Sequence, residues 1–119
     1  MTKKIFGQIG RLKQECIDEY QTLHRNDVYT EKWAGVLDMI QECNMRNYSI
    51  FIEADLVFGY FEYIGTDYEA DMNKMAEDQL TREWWSHTRP CFTKFAETSK
   101  EAFYTDMQQI FFFEGSQQE

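Results

Sequence analysis

Asn44-Met-Arg-Asn-Tyr-Ser-Ile-Phe-Ile-Glu-Ala-Asp-Leu-Val-Phe-Gly-Tyr-Phe-Glu-Tyr63 is the stretch of the chain from which a fold can be worked out. Its two halves are dense in Ile, Val, Phe and Tyr, side chains that suit a pleated, buried surface, and the polar trio Glu53-Ala54-Asp55 lies between them. This pattern predicts a β-hairpin with a three-residue reversal. Side chains alternate across a strand, so Tyr48, Ile50 and Ile52 share one face while Asn47, Ser49 and Phe51 share the other. In the return strand Leu56, Phe58 and Tyr60 oppose Val57, Gly59 and Phe61, and both sets are apolar. A half-solvated antiparallel sheet alternates apolar with polar residues, so this one asks for two covering layers. Helices supply one; a pocket, a partner subunit or both must supply the other.

Outward from the hairpin, Ile5 to Ile9 reads as a first strand that stops near Gly10-Arg11. The period then changes: Cys16, Ile17, Tyr20, Leu23 and His24 recur at three- and four-residue steps, predicting a helix over 12–24 with Tyr20 and His24 one turn apart on one face. Thr30 offers an N-cap for a second helix to about Cys43, buried through Trp33, Val36, Leu37 and Ile40. After the hairpin, Thr66-Asp67-Tyr68-Glu69 matches a capping box and opens a third helix, whose stripe of Tyr68, Met72, Met75 and Ala76 reads as core filling. Asp78 or Thr81 caps a short fourth helix carrying Trp84 and Trp85, and Pro90 closes it. An irregular stretch, 91–102, precedes a final strand over 107–113 centred on Ile110-Phe111-Phe112-Phe113.

Strand, helices, hairpin, helices, strand is the split β-α-β order of a ferredoxin-like α+β subunit, with a four-stranded antiparallel sheet and helices on one face. The uncovered face would expose many Phe, Tyr and Ile side chains, which predicts a homodimer with sheets face to face. The chain has 119 residues and no Gly/Ser- or Pro-rich linker, so one domain is expected over 1–114, followed by a polar tail, 115–119.

A net charge of -9 argues against nucleic acid or an anionic membrane surface as partner. Cys16, Cys43 and Cys91 are odd in number and contain no C-x-x-C pair, which suits buried thiols in a reducing cytoplasm better than disulfides or a metal site. The start, Met1-Thr2-Lys3-Lys4, mimics that of a signal peptide, but Gln8 and Arg11 break the apolar run that follows. Nothing is long enough to span a bilayer.

Only His24 and His87 titrate near neutrality without special tuning. His24 is the candidate for chemistry, being paired with Tyr20 on its helix, with Asn47 and Tyr48 able to approach from the hairpin; a helical histidine is also commonly structural. His87, between Ser86 and Thr88, reads as a surface residue. Trp84 and Trp85 diverge by about 100° on a helix, so they form either the corner of a cleft or one core and one interface residue. Aromatic faces interspersed with hydroxyls, amides and an imidazole suit a polyhydroxylated, C–H-rich ligand, a sugar. G-x-G-x-x-G, the P-loop, G-x-S-x-G and H-E-x-x-H are all absent. Glu53, Asp55 and Glu62 read as a solvated edge and turn.

Asp18-Glu19-Tyr20-Gln21-Thr22-Leu23-His24, Cys43-Asn44-Met45-Arg46-Asn47-Tyr48-Ser49-Ile50-Phe51, Leu56 to Tyr63, Ala70-Asp71-Met72 and Glu83-Trp84-Trp85 together, and in this order, resemble the L-rhamnose mutarotase family. The resemblance implies a dimeric α/β barrel of ferredoxin-like subunits and a cofactor-independent interconversion of the α and β anomers of a monosaccharide. It implies His24 as proton donor and Tyr20, Tyr48, Trp84 and Trp85 as sugar-binding positions. Two departures bear on which sugar fits. Trp33-Ala34-Gly35 stands for the family's Trp-Pro-Glu, after an insertion around 26–30, and Arg89 stands where the family tends to an Asp before Pro90. A cofactorless monooxygenase on the same barrel and a non-catalytic sugar-binding module are the competing readings.

Overall fold

The computed structural model describes residues 3–116. Met1 and Thr2 of the signal-like start, and 117–119 of the expected tail, lie outside the described residues. Five strands and four α-helices make an α+β chain: β1 (Lys4–Leu12), α1 (Ile17–Arg25), α2 (Ala34–Glu42), β2 (Met45–Glu53), β3 (Leu56–Tyr63), α3 (Tyr68–Glu77), α4 (Gln79–Thr88), β4 (Phe92–Thr93) and β5 (Thr105–Met107). The strands form one antiparallel sheet in the order β2-β3-β1-β4, with β5 also paired to β1. Among the described residues no helix is long and apolar enough to cross a membrane.

The expected hairpin makes up one side of this sheet, β3 inside and β2 at the edge, although its turn is one residue tighter: β2 runs through Glu53 and Ala54 takes φ 55°. Near its other end the register slips between Arg46 and Ser49. Asn47 is the residue with positive φ, 52°, a backbone an Asn tolerates better than most side chains. One extra residue in the strand changes which faces are shared. Met45 and Tyr48 are three apart and would oppose each other in a regular strand, yet both line the helix-covered face. Asn47 does not approach His24; its Nδ2 donates to Glu62 Oε1 at 2.9 Å.

The sheet's helix-covered face carries Phe6, Leu12, Met45, Val57, Phe61 and Tyr63. Val57 is fully buried, and Phe61 and Tyr63 are each 2 % exposed. Three apolar clusters bind the layers. Leu12, Val57, Tyr20, Cys91 and Phe92 tie the sheet to α1; Leu23, Val36, Trp33 and Trp84 join α1, α2 and α4; and Cys43, Met45, Phe61 and Met75 join the hairpin to α3. The opposite face, with Leu56, Phe58, Tyr60 and Glu62 of β3, stays half-buried in the single chain.

Several local expectations are corrected. β1 continues to Leu12, because Leu12 and Arg11 find partners in Phe92 and Thr93 of β4, a strand inside the stretch read as irregular. Gly10 makes this packing feasible: a Cβ there would sit 2.5 Å from the Phe92 ring. The sheet therefore has five strands, not four. A 3-10 turn over Gln14–Cys16 delays α1 to Ile17. Thr30 does not cap α2; its hydroxyl donates backward to the Asp27 carbonyl at 2.6 Å, and the helix starts at Ala34. For α3 the cap is Asp67 rather than Thr66, its Oδ1 accepting from the Ala70 amide at 3.1 Å. Asp78 caps α4, accepting from both the amide (2.9 Å) and hydroxyl (2.8 Å) of Thr81.

The final strand is Thr105–Met107, not 107–113. Ile110, Phe111, Phe112 and Phe113 are 91, 82, 55 and 78 % exposed and lie in no strand. β propensity favours a strand only where a neighbour offers ladder partners, and within the described chain these four residues have none.

Candidate active site

Between the helices and the sheet lies a cavity of about 510 Å³, within the range of small-ligand sites. Tyr20, His24, Tyr48, Trp84 and Trp85 all line it, together with residues from β1, α3 and the segment before β5. Five residues spread over sixty-odd positions of sequence thus converge because α1, the bulged end of β2 and α4 face one another across the helix layer.

His24 sits in the last turn of α1. Its Nδ1 is 2.9 Å from the Tyr20 carbonyl, the i−4 oxygen of the same helix. A carbonyl can only accept, so in the neutral ring this contact places the proton on Nδ1 and leaves Nε2 as a free acceptor. The Tyr20 ring lies tilted against the imidazole at 4.3 Å between centroids, and Trp84 meets it edge-on at 5.4 Å. Burial disfavours the imidazolium and pulls the His24 pKa below its ordinary 6.5, against a smaller upward pull from the Tyr20 carbonyl. The imidazole is therefore neutral at pH 7.

Three phenols share the cavity. The Tyr20 and Tyr104 hydroxyls are 3.0 Å apart. Burial pushes Tyr20 well above the ordinary phenol range, Tyr104 adding to the rise, and pushes Tyr104 up to about 12. Tyr48, 36 % exposed overall, packs against Phe61 at 5.4 Å; burial first, then nearby Tyr104 and Tyr68, push its phenol up too. All three remain protonated hydroxyls that can donate or accept hydrogen bonds but do not release a proton near neutrality.

The tryptophans split as their divergence on a helix requires. Trp84 is 6 % exposed, held edge-on by Trp33 at 5.1 Å. Trp85 is half-buried, and one of its faces is taken by the Arg89 guanidinium, whose carbon lies 4.2 Å from the ring centroid. Phe103 and Tyr104 escape the sequence reading, being an aromatic pair within the run that follows β4 that no periodicity marks, whereas Arg89, noted for its bearing on which sugar fits, does line the cavity. The Met72 and Met75 stripe, read as core, also borders the cavity. His87 is exposed and rests edge-on against Trp33 at 5.6 Å, outside the cavity lining.

The hairpin carboxylates have separate partners: Asp55 pairs with Arg11 at 2.9 Å, and Glu62 accepts from Tyr60 (2.6 Å) and Asn47. Cys16 and Cys91, far apart in sequence, gather with Glu19 so that one donor atom of each lies within 4.8 Å of the others. Burial, with Cys16 alongside, pushes the Cys91 thiol up to about 12.

Two solved structures share the fold. The crystal structure of the L-rhamnose mutarotase of Formosa agariphila superposes with a TM-score of 0.67 at 14 % identity, covering 93 % of this chain and 99 % of that one. A NIPSNAP family protein of Agrobacterium tumefaciens gives 0.58 at 16 % identity, covering 92 and 94 %. In sequence the chain is 28 % identical over 105 residues to the L-rhamnose mutarotase of Lactiplantibacillus plantarum, 88 % of this chain and 93 % of that protein. It is 28 % identical over 114 residues to that of Lachnoclostridium phytofermentans, 89 % of this chain and all of that protein. The family model described as L-rhamnose mutarotase matches residues 6–113, and the chain belongs to the L-rhamnose mutarotase family.

Proposed function

We propose that this chain is an isomerase that interconverts the α and β anomers of L-rhamnose by acid–base catalysed ring opening and closure. The observation that carries the reading is that a neutral imidazole with a free Nε2 lines the same cavity as Tyr20, Tyr48, Trp84 and Trp85.

The reaction needs the anomeric hydroxyl to lose a proton while the ring oxygen gains one as the bond between C1 and that oxygen breaks. Nε2 of His24 takes the first proton; the imidazolium so formed, its Nδ1–H held by the Tyr20 carbonyl, returns a proton to the ring oxygen. Rotation about the C1–C2 bond of the open aldehyde and the reverse transfers give the other anomer. The proton count is unchanged and there is no net oxidation or reduction, so the reaction requires no redox cofactor. A depressed pKa suits a group that must accept first. The Tyr20 and Tyr48 hydroxyls orient sugar hydroxyls, Trp84 backs the imidazole, and Trp85 offers the face that Arg89 leaves open.

The strand order and the two faces of the sheet support a wider reading. Residues 1–114 form one ferredoxin-like domain with a polar extension, 115–119, and two copies pair as a homodimer, a dimeric α/β barrel, through the half-buried sheet face. The exposed Ile110–Phe113 run supplies apolar surface that such a pairing covers. The homodimer works in the cytoplasm on a monosaccharide, without nucleic acid or membrane as partner.

Saturation-transfer NMR between the anomeric protons of L-rhamnose tests the catalytic assignment. His24→Ala is expected to lose about 10²- to 10⁴-fold of the protein-dependent exchange, the usual worth of acid–base help, and to remain a dimer. His87→Ala is expected to keep the wild-type rate. Equal losses in the two variants would refute the role given to His24.

A further inference from the structure

The cavity is charged against the grain of the molecule. The chain holds 21 Asp and Glu against 12 Lys and Arg, yet among the described residues no Asp or Glu lines the cavity, whereas Arg25 and Arg89 do. The Arg89 guanidinium carbon lies over two aromatic rings of the cavity wall, Trp85 at 4.2 Å and Phe103 at 4.4 Å. Contacts with two rings restrict a side chain that is otherwise costly to order, and they leave the guanidinium's N–H donors unspent. None of the three ion pairs among the described residues involves Arg89, and the nearby Glu101 acts on it only at longer range. A held, unpaired guanidinium at the wall of a cavity free of acids is suited to a carboxylate, which it can grip through two parallel N–H donors.

We propose that Arg89 is a specificity-determining residue and that the sugars this site accepts include aldoses bearing a carboxylate, the aldohexuronic acids, with the guanidinium holding the carboxylate while C1 faces His24. The carboxylate is a spectator: the same bond opens and closes, and the same proton is moved. The reaction on such a sugar rests on the mutarotase reading above; its binding does not.

Glycosides locked at C1 separate the two. Methyl α-D-galactopyranosiduronate and methyl α-L-rhamnopyranoside cannot mutarotate, so calorimetric titration with each reads recognition alone, and free galacturonate and L-rhamnose then report exchange by NMR. The wild-type protein is expected to bind the uronoside at least as tightly as the rhamnoside, and increasingly weakly as salt rises. Arg89→Gln is expected to lower the ratio of uronoside to rhamnoside affinity about tenfold, the scale of one charge-assisted contact, with Arg89→Lys recovering part of it and the exchange selectivity following. The proposal is overturned if the wild-type protein fails to bind the uronoside at millimolar concentration, or if Arg89→Gln weakens both glycosides equally. Uronoside binding sensitive to Arg89, with no exchange on any free sugar, removes the mutarotase reading and leaves this one standing.

Discussion

The two faces of β3 belong to one eight-residue strand and differ by a single step of alternation. Val57, Phe61 and Tyr63 point into the helix layer and are essentially without solvent; Leu56, Phe58 and Tyr60 point the other way and stay half-covered. Both sets are apolar, so composition does not distinguish them. What does is whether the chain itself has anything to place on that side. Three clusters of helical side chains close the first face and leave an aromatic cavity within it. On the second, Phe51 and Met107 stay 64 and 43 % exposed, and beyond β5 the run Ile110–Phe113 is exposed too. The comparison teaches that the chain by itself completes burial on one face alone; under the homodimer proposed above, covering the other face is a second stage, supplied by a second copy.

The most direct way to break that comparison is a matched pair on β3. Phe61→Ala removes a ring from the closed face and is expected to cost about 3–5 kcal/mol in denaturant unfolding at concentrations where the chain is monomeric. Phe58→Ala on the open face is expected to cost under about half of that under the same conditions. If the two losses are equal, the open face is already packed within one chain and the two-stage picture fails.

A smaller effect is expected from the end of the chain. Phe111→Asp with Phe112→Asp places two charges in the run that has no cover within the chain. If the chain pairs as proposed, sedimentation equilibrium should show the dimer dissociating at least tenfold more readily, with far-UV dichroism of the monomer unaltered, because these residues lie in no strand. An unchanged dimer would show that the tail takes no part in pairing.

The gentlest test concerns the closed face and its imidazole. The folded-state pKa of His24 lies below the ordinary 6.5, so the neutral form that accepts the first proton persists below that value. The acid limb of kcat/KM for anomer exchange, which reports the free enzyme's base, should therefore fall below pH 6.5. The sign for stability is the same: the unfolded chain takes up the proton first, so the stability linked to His24 is full above pH 6.5 and is lost as pH falls through the lower folded value. An acid limb above pH 6.5 would contradict a buried, uncharged imidazole.

Much of this was legible in residue order. The hairpin follows from two β-rich runs around Glu53-Ala54-Asp55, and α1 follows from a three- and four-residue spacing that also places Tyr20 beside His24. What the sequence misplaced were features decided by a competitor, in some cases a near neighbour and in others a strand far along the chain. Thr30 has the chemistry of a cap but spends its hydroxyl on Asp27. Thr66 precedes an equally good cap, and the Asp67 carboxylate, a stronger acceptor, takes the position. β4 has two residues and no periodicity of its own, existing because β1 offers it an edge at Arg11 and Leu12. The Phe run at 110–113 has every local mark of a strand and no ladder to join.

By itself the sequence determined which side chains are apolar, where the period changes from two to nearly four, and which residues carry an imidazole, phenols and indoles, because propensity and alternation act between near neighbours. Tertiary structure alone decided that a bulge at Asn47 brings Tyr48 to the helix side, that Tyr104 closes against Tyr20, and that Arg89 meets the Phe103 ring. Each depends on surfaces distant in sequence meeting at a few ångströms, and short-range chemistry carries no record of which distant surface will arrive.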